Sequence, residues 1–216
     1  MKKLAVGVAM QMTGETDLRA ELSSASVTGC KDTTIRFNVP SGQAEIPTGA
    51  FTLNSGYINY GAEADDQWRV SFSEGPEFEL AAQKICTLEL GKPVLSVWAV
   101  EEAKRYQSDV KEQSVYAKGT DIYLQTKIRG KAGELYSRFS HGTGGGQQND
   151  VEPAIRITDS NGKEVVSARM EYGRGGTCEY SRRSPDVRPG RYAVTMTQDT
   201  GPLAGIIEGT LDITIQ

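Results

Sequence analysis

The sequence predicts an all-β protein made of two tandem antiparallel β-sandwiches. Three observations predict it. Short runs of alternating apolar and polar residues recur along most of the chain, and a period of two belongs to half-buried strands. Glycine, proline and other turn residues interrupt these runs every ~8–12 positions, the rhythm of sandwiches and barrels. No stretch longer than about a dozen residues keeps the 3.6 period of a helix. The 216 residues suit two sandwiches of about a hundred residues each. We place them at 1–103 and 115–216, with a linker at 104–114.

Each element has its own signal. Leu4, Val6, Val8, Met10 and Met12 alternate with Ala5, Gly7, Ala9 and Gln11, which reads as a first strand. The two lysines before this apolar run also admit a signal-peptide remnant. Leu18, Ala20 and Leu22 mark a second strand, and 33–39 a third that ends at Pro40-Ser41-Gly42. Residues 45–60 read as two strands hinged near Asn54-Ser55-Gly56. Trp68, Val70 and Phe72 alternate with Arg69 and Ser71, and Glu74-Gly75-Pro76 then turns the chain. Phe78 and Leu80 should face in while Glu77 and Glu79 face out; Cys86, Leu88 and Leu90 repeat the pattern. Residues 94–100 are apolar on both parities, which suits a central strand covered on both sides.

Residues 101–113 are polar and charged and read as a connector with one helical turn. The β pattern then restarts. Ile122, Leu124, Thr126 and Ile128 share a face, 135–139 follows as a strand, and 140–150 reads as a flexible glycine loop. Asp159-Ser160-Asn161-Gly162 between two apolar runs is a hairpin signal, with 165–172 as the returning strand. Tyr192, Val194 and Met196, then Leu211, Ile213 and Ile215, close the chain as strands.

Charge excludes some functions. The net charge is −4. Residues 1–109 hold 10 basic and 15 acidic side chains, and residues 110–216 hold 14 and 13. Neither half has the basic excess that a nucleic-acid binder needs. No run approaches the ~18–20 apolar residues that span a bilayer, so no membrane insertion is expected.

A weak internal echo links the halves. Ile46-Pro47-Thr48-Gly49-Ala50-Phe51-Thr52-Leu53 parallels Val187-Arg188-Pro189-Gly190-Arg191-Tyr192-Ala193-Val194. In both, a Pro/Gly turn feeds an aromatic–x–aliphatic strand. The Tyr192 hydroxyl can bond back to its turn, as in a tyrosine corner. The run Pro47-Thr48-Gly49 through Trp68, Phe78 and Cys86 to Pro93 resembles the carboxypeptidase-regulatory-like, or prealbumin-like, β-sandwich domains of bacterial surface and secreted proteins. Residues 189–194, PGRYAV, are similar to the closing strands of immunoglobulin-like and fibronectin-type modules. The resemblance covers most of the chain and is architectural. It implies stalk, accessory or binding roles outside the cytoplasm, and it transfers no catalytic residue.

Cys30, Cys86 and Cys178 form no metal motif. The separation of Cys30 and Cys86 admits an inter-sheet disulfide of an immunoglobulin-like domain. Strand parity favours free thiols, because Cys86 shares a face with Leu88 and Leu90 while Cys30 shares one with Asp32, Thr34 and Arg36.

Few residues gather chemistry. His141 is the only histidine; as a general base or ligand it lacks a local nucleophile and acid. Glycines 142 and 144–146 beside it lack the Lys-Ser/Thr ending of a P-loop. Glu63, Asp65 and Asp66 crowd one loop, and clustered carboxylates can hold calcium; otherwise no cofactor is expected. Arg182, Arg183, Arg188 and Arg191, with Tyr180 nearby, form the densest basic region, and arginine forks suit carboxylate, sulfate or phosphate. Trp68 and Trp98 fit a core better than a sugar platform.

The expectation is a non-catalytic structural, adhesive or accessory protein that contacts protein or polysaccharide outside the cytoplasm. Two alternatives stand. One is a sandwich-fold hydrolase acting on glycans or peptides. The other is an assembly subunit that pairs through an edge strand, with residues 4–12 as the candidate edge.

Overall fold

A computed structural model of the protein describes residues 7–10, 16–27, 33–39, 43–45, 47–61, 66–82, 84–104, 113–142, 148–172, 178–182 and 188–216. The described chain is strand throughout, apart from turns and two single-turn 3₁₀ segments, Glu102–Lys104 and Gly201–Leu203. Among the described residues, no helix is long and apolar enough to cross a membrane.

The chain forms two compact units. Unit 1 holds Met1–Pro93, Arg129–Val151 and Thr200–Gly205; unit 2 holds Val94–Ile128, Glu152–Asp199 and Ile206–Gln216. The division therefore differs from the single cut at 104–114 expected from sequence. The physical reason lies in strand pairing. A strand from the second half of the chain, Leu135–Gly142, pairs antiparallel with Trp68–Ser73 from the first half. Of the expected linker, Lys104 ends a 3₁₀ turn as foreseen, and 105–112 lie outside the described residues.

In chain order the first eight strands are β1 (Gly7–Met10), β2 (Thr16–Val27), β3 (Thr33–Val39), β4 (Gln43–Glu45), β5 (Gly49–Tyr60), β6 (Trp68–Ser73), β7 (Glu77–Leu80) and β8 (Cys86–Leu88). All belong to unit 1. Strand β1 lies between β4 and β8. It is therefore no edge, and the proposed edge-pairing candidate is lost. Cys86 on β8 is a free thiol, pushed up in pKa by burial, so it forms no disulfide; Cys30 lies outside the described residues.

Strand β5 is one continuous strand, not two. Its register against β2 shifts where Leu53 and Ser55 bracket Asn54. A β-bulge at that point adds a residue without ending the ladder. The bulge coincides with a change of partner: Gly49–Thr52 pairs with β7 and Ser55–Tyr60 with β6. Phe51, Leu53, Ile58, Tyr60, Val70 and Phe72 are all buried. They give unit 1 its core, supplied from one parity of β6 and from both arms of β5.

Unit 2 takes β9 (Val94–Glu101), β10 (Val115–Tyr116) and β11 (Ile122–Arg129), whose last residue belongs to unit 1. Strand β9 is not covered on both faces as its composition suggested. Val94 is 66% exposed and Ser96 is also exposed, while Leu95 and Val97 are buried. Only Ala99 and Val100 are buried consecutively. The chain then returns to unit 1 for β12 (Leu135–Gly142) and β13 (Gln148–Asp150), which pair as a hairpin. The expected glycine loop is thus shorter: Ser140 to Gly142 and Gln148 to Asp150 are strand, and 143–147 lie outside the described residues.

The remaining strands belong to unit 2: β14 (Ala154–Asp159), β15 (Glu164–Arg169), β16 (Glu171–Tyr172), β17 (Cys178–Arg182), β18 (Gly190–Asp199) and β19 (Ile206–Ile215). One sheet runs β10-β19-β18-β14-β15. Strands β16, β17 and β11 pair in that order, and β9 pairs with β11. The hairpin at Asp159 forms as expected. One Asp159 carboxylate oxygen accepts from the Asn161 and Lys163 amides at 2.9 and 3.0 Å, a local bond that aspartate is suited to make. The tyrosine corner is also present, with the Tyr192 hydroxyl donating to the Arg188 carbonyl at 2.7 Å. The echo extends to the backbone, since Gly49 and Gly190 have φ of 150° and 158° and the aromatics two residues later are buried.

Candidate functional site

The best-organised polar face lies on the β12-β6-β5 part of unit 1. Strand alternation builds it. Val70 and Phe72 point into the core, so Arg69 and Ser71 must point to the opposite face. Pairing then sets their neighbours. Asn59, Arg69 and Ser140 form one cross-strand row, and Tyr57, Ser71 and Arg138 the next. Paired residues share a face, so Arg69 and Arg138 are diagonal neighbours on adjacent strands.

Arg69 is held from two sides. Its Nε donates to Asn59 Oδ1 at 3.1 Å, and its guanidinium carbon sits 4.7 Å from the Tyr57 ring centre. Asn59 is only 6% exposed, so the anchoring amide is itself fixed by packing. Among the described residues, no other group bonds the two terminal nitrogens of Arg69. A fork already oriented loses less entropy on engaging a carboxylate. Arg138 lies 3.5 Å from Asp150, both partly exposed, and such surface pairs contribute little.

The residues singled out from sequence fare differently. Glu63 and Asp65 lie outside the described residues. Asp66 is exposed and its Oδ1 is 3.1 Å from His141 Nε2. Among the described residues, no group of three His, Cys, Asp or Glu could hold a metal. Arg188 and Arg191 are exposed. Tyr180 and Arg182 lie on β17, opposite Leu124 and Ile122 of β11, and their side chains, like Arg183 altogether, lie outside the described residues.

His141 belongs to a strand rather than a loop, opposite Trp68. Its ring stacks on that indole at 4.7 Å between centres. The indole is also pressed by Gly201, where an added Cβ would lie 2.3 Å from the ring. Trp68 therefore offers no open platform for a sugar. A carboxylate beside an imidazole is two parts of a triad, but among the described residues no hydroxyl or thiol is hydrogen-bonded to His141. Trp98 is half-buried; its indole N–H donates to Gln125 Oε1 at 2.7 Å, and Lys127 Nζ lies 5.4 Å from the ring centre. Both tryptophans are thus more engaged at the surface than a pure core reading expected.

The strongest pKa perturbations are sealed inside unit 1. Glu134 is 0% exposed, and its Oε1 accepts from the Gly91 amide at 2.8 Å and the Tyr136 hydroxyl at 2.6 Å. Its Oε2 and the Tyr60 hydroxyl have no partner among the described residues. Burial, then the Glu134 charge, pushes both Tyr60 and Tyr136 well above the usual tyrosine range. These tyrosines stay neutral in the fold while unfolded ones ionise near pH ~10. Stability is therefore fully present below pH ~10 and falls as pH rises through it, by up to ~1.4 kcal/mol per pH unit for each group. Urea unfolding between pH 9 and 11 should show this decline, with a shallower slope in Tyr60→Phe. An equal slope in the variant would contradict it.

No family model and no curated protein matches the chain. Among solved structures it is similar to fibronectin(III)-like modules of CbhA from Clostridium thermocellum, at 10% identity and a TM-score of 0.27, over 97% of this chain and 91% of that chain. A likeness at that TM-score transfers neither fold nor function.

Proposed function

We propose that the chain is a non-catalytic accessory binding module that works outside the cytoplasm and contacts protein or polysaccharide. One observation carries this reading: Arg69 is positioned by Asn59 and Tyr57 on a strand face, with its two terminal nitrogens unengaged by any described residue. The two most strongly perturbed groups, Tyr60 and Tyr136, are shut in the core around Glu134. The resemblance of 47–93 to bacterial surface modules supports the extracytoplasmic setting.

A panel of neutral, carboxylated and sulfated polysaccharides tests the reading by affinity electrophoresis, alongside an assay for new reducing ends. The reading expects retardation by at least one class and no cleavage. The His141–Asp66 pair gives the hydrolase alternative its one structural foothold. Polymer cleavage that is lost in His141→Ala would replace the binding reading with that one.

A further inference from the structure

We propose that the Arg69–Arg138 face binds a polyuronate, a polysaccharide bearing a carboxylate on each sugar. This rests on the binding reading above and names its ligand class.

Three features point to that chemistry. The first is the shape of the acceptor. Arg69 spends its Nε on Asn59, which leaves the terminal nitrogens to present parallel N–H donors. A planar carboxylate accepts such a pair in two bonds. The second is charge. Arg69 and Arg138 share the face with one described carboxylate, Asp150, which lies beside Arg138. On the next strand Asp17, Arg19 and Glu21 pair with Asn59, Tyr57 and Ser55, so the positive charge is confined to the Arg69–Arg138 pair and is not spread over the whole face. The third is spacing. The two arginines are diagonal neighbours on adjacent strands, with Cα atoms roughly 7–8 Å apart. A linear polymer laid across the strands meets one guanidinium and then the next.

The composition of the face argues for a sugar over a protein. Its other described members are Tyr57 and Ser71, both half-buried, and Asn59 and Ser140, which are 6% and 5% exposed and already hydrogen-bonded to Arg69. The exposed large apolar residues, Ile85, Val94, Val115, Val165 and Ile206, lie on none of β5, β6 and β12. Protein docking centres on a buried aromatic or aliphatic anchor, and the aromatic described on this face, Tyr57, is already taken up by the Arg69 guanidinium.

Titration of the whole chain with polygalacturonate tests the proposal, with methyl-esterified polygalacturonate and dextran sulfate as comparisons. Esterification removes the carboxylate charge and keeps the sugar. The proposal expects binding to polygalacturonate and at least about tenfold weaker binding to the ester. Arg69→Gln should lose a similar factor, Arg69→Lys should not restore it, and Arg188→Gln should bind as the parent does. An unchanged melting temperature would show that Arg69→Gln still folds; the ester comparison needs no variant at all. Equal binding to acid and ester would overturn the proposal. So would binding to dextran sulfate alone, which leaves the broader binding reading standing. Binding to no polymer would overturn it as well.

Discussion

Gly130→Ala should destabilise the protein by about 3 kcal/mol. The turn from β11 to β12 folds Glu134 back over Gly130, so an added Cβ would lie 1.9 Å from Glu134 Oε1 and 2.2 Å from its carboxyl carbon. A flexible side chain normally swings away from such a contact. Glu134 cannot do so cheaply, because its Oε1 holds the Gly91 amide and the Tyr136 hydroxyl, and the residue is fully buried. Displacing the carboxylate leaves both donors unpaired, and hydrogen bonds to a charged group are worth about 1.5–3 kcal/mol each. A second variant separates this from simple turn strain. Glu134→Ala is itself destabilised, and adding Gly130→Ala to it should cost little more, since the clashing atoms are gone. Urea unfolding of the two single variants and the double variant measures the coupling. Strictly additive losses would show that the Glu134 contact is not what Gly130 accommodates.

Gly209→Ala should cost unit 2 about 2–3 kcal/mol, within the range for forced overpacking. Here β19 passes β9 at backbone distance. An added Cβ would meet Leu95 Cδ2 at 2.4 Å, the Leu95 carbonyl oxygen at 2.7 Å and Val97 Cγ2 at 2.9 Å. The leucine can rotate, but the carbonyl belongs to β9 and cannot retreat without moving the strand. Leu95 and Val97 are also among the residues that β9 buries, so the close approach is part of how unit 2 is packed. Thermal unfolding of Gly209→Ala and Gly209→Val should show a larger loss for valine. A valine variant as stable as the parent would mean that the two strands do not approach this closely.

What sequence made legible was local. Strand β3 was placed at its observed bounds because 33–39 alternates and ends at Pro40. The Asp159 turn and the Tyr192 corner were readable because their bonds span four residues or fewer. The misreadings share another origin. Asn54-Ser55-Gly56 has turn chemistry, yet β2 and β6 on either side hold it in a bulged strand. Residues 94–100 are apolar on both parities, but only part of the strand is packed on both faces. Glu134 sits in a turn, where a glutamate ordinarily meets water. Only Gly91 and Tyr136, from elsewhere in the fold or the next strand, explain why it turns inward.

The candidate face was not legible for the same reason. Arg182, Arg183, Arg188 and Arg191 stood out because they cluster in sequence. Arg69 and Arg138 are far apart in the chain and meet only through the pairing of β6 with β12. A hint was present in β6: alternation placed Arg69 opposite the apolar face, but nothing local showed that Asn59 and Tyr57 would fix it there.

The central claim is that ligand is held on the β12-β6-β5 face of unit 1. Amide hydrogen exchange of the whole chain, with and without saturating polygalacturonate, tests it most directly. The account predicts added protection at Ser55–Tyr60, Trp68–Ser73 and Leu135–Gly142, and none at the turn carrying Arg188. Protection confined to that turn, or to strands of unit 2, would contradict it.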